Sequence, residues 1–203
     1  MFNSFAKHCG MAAIAVLSVG LSLSASADSG WGFSVYANNL SIESTAAKRE
    51  GVGDSATTLG LAAERYSSEN NRILNLGIEI VPYNDRARFS QTTKSSPTGE
   101  INDSTSSADA VLLFVDYGPR FKFGQDQTNH VTVRGGISAM VSSERGIDNC
   151  TNCASEKIDI EGGFYGLVGV GHSFGGFTLG LQLQQYITGD LGTGVGIKLS
   201  SSF

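Results

Sequence analysis

Proline and cysteine are scarce, at three residues each in a chain of 203. Disorder of the proline-rich kind and a cysteine-stapled mini-protein are therefore both excluded. Glycine is abundant at 26 residues, but without the every-third-residue period of collagen, so the chain reads as one folded domain. Charge is also thin, at 16% of residues with a formal net charge of −5. No basic stripe interleaved with aromatics, phosphate-cradling glycine loop or metal-spaced histidine cluster is present. Nucleic-acid, nucleotide and metalloenzyme functions thus have nothing to rest on, and no cofactor or metal is expected. After residue 27 the chain also lacks any apolar run of the roughly 20 residues a spanning helix needs.

What is present begins with the first 27 residues. Lys7 and His8 make a short polar start, Met11 to Leu23 an apolar run, and Ala25-Ser26-Ala27 a small-residue cleavage site before Asp28. That is the order of a secretory signal peptide, and the apolar run is too short for an anchor. Cys9 precedes the apolar run instead of following it at the cleavage point, which argues against a lipoprotein. The expected mature domain is 28–203.

Within that domain, apolar and polar residues alternate with the period of two that a β-strand imposes. Phe177, Leu179, Leu181 and Leu183 alternate with Thr178, Gly180, Gln182 and Gln184, and Val195, Ile197 and Leu199 with Gly196, Lys198 and Ser200. The same pattern marks segments near 30–40, 57–67, 72–82, 108–123, 129–142 and 158–174. Eight strands are predicted. The joins near 67–71, 124–128 and 175–176 are short, whereas those near 41–56, 83–107 and 143–157 are long and polar; the one near 188–193 is short. Short turns on one side and long loops on the other are what outer-membrane barrels have.

A soluble barrel would alternate too, but its water-facing side should carry about a quarter to a third charged residues. Here the polar faces are mostly Gly, Ser, Thr, Asn and Gln, which suit a narrow lumen. Trp31, Tyr117, Phe121, Phe123, Phe174, Phe177 and Phe203 fall near the short-turn strand ends, where a membrane barrel carries its interface aromatics. The fold class expected is therefore all-β, an eight-stranded antiparallel up-and-down transmembrane barrel.

On these features the chain resembles the small eight-stranded outer-membrane barrels of Gram-negative bacteria, of the OmpA transmembrane-domain and OmpX/Ail type. The final strand, Val195-Gly196-Ile197-Lys198-Leu199-Ser200-Ser201-Ser202-Phe203, carries the most specific part of the likeness, with Ser201 where a second apolar or aromatic residue is usual. The resemblance implies that Val195, Ile197, Leu199 and Phe203 form the signal read by the barrel-assembly machinery. It also implies an outer-membrane location among lipid and lipopolysaccharide, a monomer, and outer loops that meet a host or phage surface.

Six charged residues fall on predicted inward faces: Glu64, Glu79, Asp116, Arg134, Glu161 and Lys198. Buried charges need partners, so a lumen network centred on Arg134 and Lys198 is expected to plug the tube. His130 and His172 are the two histidines left after signal removal. His172 and Ser173 make no nucleophile–base pair, because adjacent strand residues point to opposite faces. Cys150 and Cys153 in an exported chain are expected as a disulfide, closing a loop worth about 2 kcal/mol on the entropic model. The Ser/Thr-rich stretch from Ser90 to Ala110 is expected to be mobile. The function expected is non-enzymatic, in envelope integrity or surface interaction; the alternatives are a lipid A-modifying enzyme and a narrow ion channel.

Overall fold

The computed structural model describes residues 30–94, 98–147 and 150–201. The segment expected as a signal peptide, its expected cleavage site and Phe203 lie outside these residues. In chain order the elements are β1 (Trp31–Ile42), α1 (Ser44–Arg49), β2 (Val52–Ser67), β3 (Arg72–Asp85), β4 (Ser90–Lys94), β5 (Ile101–Thr105), β6 (Ser107–Phe123), β7 (Asn129–Gly146), β8 (Ser155–Lys157), β9 (Phe164–Phe174), β10 (Phe177–Tyr186) and β11 (Leu191–Ser201).

Eight of these strands form the wall, in the cyclic order β1-β2-β3-β6-β7-β9-β10-β11. Every neighbour is antiparallel, and the ring closes where Ser34 of β1 pairs with Ser200 of β11. Except between Ile137↔Phe164 and Glu144↔Lys157, where β7 lacks a paired neighbour on the β9 side, closure leaves the wall no free edge, the condition for a sheet in hydrocarbon. The short joins lie at one end and the long loops at the other. At the two-residue β9–β10 turn Gly175 has φ 63, a conformation that favours glycine.

Side chains alternate across the wall as the period predicts. Leu59, Leu76, Ile78, Leu113, Val133, Val168, Leu181 and Ile197 point out and are 42 to 59% exposed. Their neighbours Thr58, Asn75, Glu79, Arg134 and Gln182 are buried inside. Glycines on the inner surface make room for large inward rings. A Cβ on Gly60 would sit 2.0 Å from Tyr36 Cζ, and one on Gly136 would sit 2.6 Å from Tyr165 Cζ.

The wall departs from the sequence expectations in three places. The strand expected over 158–174 begins at Phe164. The stretch expected to be mobile holds the β4–β5 hairpin, paired from Ser90↔Thr105 to Lys94↔Ile101. Its Thr-rich composition suits strands, and Gly99 at φ 73 serves the turn. Third, the inward face is not uniformly small and polar. Toward the loop end it becomes an apolar core of Leu40, Ile42, Val52, Val81, Leu112, Ile158, Ile160 and Leu191, with Ala47 of α1 above it.

Candidate functional site: the barrel interior and its loop-side lid

The lower half of the interior, toward the short turns, is polar because each strand there contributes a hydrophilic inward position. Asp116 is its hub. One carboxylate oxygen accepts from Asn75 Nδ2 at 2.8 Å and Arg134 Nη1 at 2.8 Å, and the other accepts from the Tyr165 hydroxyl at 3.0 Å. Lys198 pairs with Glu64 one layer below. Glu79 accepts from the Thr58 hydroxyl and from Asn38 Nδ2, and Asn38 Oδ1 in turn accepts from Gln182 Nε2 at 2.9 Å. Charge-assisted bonds of this kind, shielded from water, are the strong class.

Five of the six charged residues expected inside thus have buried or largely buried side chains in the barrel. The sixth, Glu161, is exposed and stands on the segment before β9. Parity explains the correction. Ile158 and Ile160 turn inward on even positions, and Tyr165 and Leu167 on odd ones, so the chain swaps faces across Gly162 and Gly163. Counting by twos back from Tyr165 carried Glu161 inward; the swap turns it out.

Sequence reasoning missed two further interior groups. Arg120 lies buried near the short-turn mouth, stacked over the Tyr66 ring at 5.5 Å, with His130 Nδ1 at 3.4 Å from its Nη2. Arg120 sits two positions before Lys122 on an inward parity, a signal that was available. At the other end Arg145, 3% exposed, fastens the loops. Its Nε donates to Asp85 at 2.8 Å, its Nη1 to Glu156 at 3.1 Å, and its Nη2 to the Glu50 carbonyl oxygen at 2.7 Å. No parity count from Arg134 could find it, because a β-bulge shifts the β6–β7 register between Leu112↔Met140 and Val111↔Ser142.

Loop residues continue the lid. Arg49 of α1 reaches the Asp159 carbonyl oxygen and lies 3.5 Å from Asp190. Cys150 and Cys153 are joined as a disulfide, and the loop they close packs on β4. There the Thr151 amide donates to the Lys94 carbonyl at 3.0 Å, and the Lys94 amide to Asn152 Oδ1 at 3.0 Å. Four loops are therefore tied to one another above the apolar core.

Two of the cavities among the described residues measure about 20 and 30 Å³, and Arg134, Gln182 and Lys198 line both. Each has room for about one water molecule.

Outside, the aromatic residues expected at the interface are all exposed where they are described: Trp31 at 45%, Tyr117 at 45%, Phe121 at 57%, Phe123 at 50%, Phe174 at 49% and Phe177 at 46%. Two carry arginine partners, with Arg65 over Trp31 at 5.8 Å and Arg72 over Tyr117 at 5.4 Å. A closed wall with this apolar belt and a charged interior inverts the soluble arrangement. The architecture is a closed eight-stranded antiparallel barrel with an apolar exterior.

Comparison with known proteins gives structural likeness alone. No protein-family model matches the chain, and no curated protein matches its sequence. Among solved structures it is similar to Neisserial surface protein A, with TM-score 0.46, 9% identity, and 86% of this chain and 98% of that one covered. It is also similar to the beta domain of the Bordetella autotransporter BrkA, with TM-score 0.34, 15% identity, and 87% and 68% covered.

The histidines stand apart. His172 is exposed on the outer wall and meets Asn129 Oδ1 at 2.8 Å, whereas His130 is buried inside. Val195, Ile197 and Leu199 form an exposed apolar row on β11.

Proposed function

We propose that the protein is a non-enzymatic barrel of a Gram-negative outer membrane that acts in envelope integrity or surface interaction through its loop-side lid. The observation that carries this is the belt of exposed Leu, Ile, Val and aromatic side chains around a closed wall, which water would not tolerate and hydrocarbon would. Lipid and lipopolysaccharide are then its immediate surroundings. On the same reading residues 1–27 are removed on export, and the row Val195, Ile197 and Leu199, ending at Phe203, serves the barrel-assembly machinery.

The interior network is a plug. Its ion pairs bridge the wall from β6 to β7 and from β2 to β11, and the two cavities beside them are water-sized, so the tube stays shut to ions. The lid supports the surface role, because loops held by Arg145, Arg49 and the β4–β5 hairpin present a fixed relief to a host or phage ligand. A deletion strain compared with its parent for detergent sensitivity, adhesion and lipid A profile tests the reading. Altered sensitivity or adhesion with unchanged lipid A is expected, and changed acyl chains on lipid A would replace it with an enzyme.

A further inference from the structure

At the short-turn end of the wall, Trp31, Arg65, Arg72 and Tyr117 form a row of outward-facing side chains across β1, β2, β3 and β6. Trp31 is the cross-strand partner of Arg65, Arg65 of Leu74, and Leu74 of Tyr117. Arg72 stands two positions before Leu74 on β3 and so shares its face. Arg65 and Arg72 are therefore diagonal neighbours, about 7–8 Å apart along the backbone and within reach of one ligand.

The aromatic rings hold both guanidiniums in place. Arg65 lies over Trp31 at 5.8 Å and Arg72 over Tyr117 at 5.4 Å, and Arg72 Nη1 also donates to the Tyr117 hydroxyl at 3.1 Å. A guanidinium over an aromatic face keeps N–H donors free at its rim. Those donors have no carboxylate to meet among the described residues. Both arginine side chains are exposed, and Glu69, in the turn between β2 and β3, pairs with neither. The neighbouring cations Arg120 and Lys122 stand over the Tyr66 ring instead, at 5.5 and 5.0 Å. Two positive charges are thus left uncompensated on the outside of the wall.

Their position decides the partner. One layer further along the wall, Phe33, Ala63 and Leu76 are cross-strand neighbours on the same outer face, and there the apolar belt begins. The arginines therefore sit where hydrocarbon gives way to head groups, the level that Trp and Tyr mark in membrane proteins. Arginine binds phosphate oxygens through paired N–H donors, and basic residues at this level attract anionic lipid. A zwitterionic head group carries its own cation beside the phosphate, so a pair of unbalanced arginines favours a lipid with net negative charge. We propose that Arg65 and Arg72 clamp the phosphate of an anionic phospholipid in the leaflet at the short-turn end. Its acyl chains run along Ala63 and Leu76, and Trp31 and Tyr117 position the two guanidiniums.

This rests on the barrel being embedded in lipid, and the test keeps the two apart. Full-length protein is expressed in a Gram-negative host and extracted from membranes in mild detergent. It is then titrated with phosphatidylglycerol, or with phosphatidylcholine of the same acyl chains, and weighed by native mass spectrometry. Phosphatidylglycerol should bind the wild-type barrel about tenfold more than phosphatidylcholine, and Arg65→Gln with Arg72→Gln should abolish that preference. Each single substitution should lower it about threefold, which keeps the site testable if the double variant fails to fold. Arg86→Gln with Arg88→Gln, which removes the same charge at the loop end, should leave it unchanged. Equal binding of the two lipids by wild type, or a preference that survives in the Arg65 and Arg72 variants, overturns the clamp and leaves the barrel reading standing. Protein that never enters the membrane fraction overturns both.

Discussion

The two halves of the barrel interior fill the same tube by different chemistry. Below, Glu64, Asp116, Arg134 and Lys198 meet in ion pairs whose geometry fixes which strand faces which. Above, Leu40, Val81, Leu112 and Ile160 pack as an ordinary core with little directional preference. The polar half specifies closure, since a misregistered strand would strand a charge, and the apolar half supplies contact area for stability. The lid then depends on the upper half, because α1 rests on the core through Ala47 and Arg145 reaches it from the end of β7.

The contrast can be broken first at its polar end. Arg134→Leu leaves Asp116 buried without its guanidinium, and equilibrium unfolding in detergent should lose about 3–5 kcal/mol, the cost of a buried pair with one partner removed. Leu112→Ala, at 1% exposure in the apolar half, should lose about 2–5 kcal/mol by cavity formation with the register intact. The double change Glu64→Gln with Lys198→Met removes both charges of a pair at once. It should cost less than about 1 kcal/mol in stability yet slow refolding or broaden the product, and a single sharp product at wild-type rate would deny the polar half its specifying role. Cys150→Ser with Cys153→Ser should lower the barrel's stability by no more than about 2 kcal/mol and speed proteolysis chiefly of the outer loops.

The same contrast explains what the sequence made legible. Strands with one apolar face, such as β10 and β11, declare themselves through strict alternation. The wall and its lower polar lining follow from that. The upper lining is hidden, because Leu112 beside Leu113, and Val81 beside Ile80, make both faces apolar and erase the period. Parity counting also fails wherever one residue is added or faces are exchanged. The bulge at Val141 concealed Arg145, and the Gly162-Gly163 swap sent Glu161 to the wrong side. The lid is the least legible part, since its ties join residues such as Arg145 and Glu50 that are 95 positions apart.

Solubility of a polypeptide of residues 28–203 without surfactant tests most directly whether the apolar belt faces lipid. Refolded protein should insert into phospholipid vesicles, float with them on a density gradient, and aggregate when detergent or lipid is withdrawn. Monodisperse protein in plain buffer, left at the bottom of the gradient and recovered from cells with the periplasmic fraction, would contradict it.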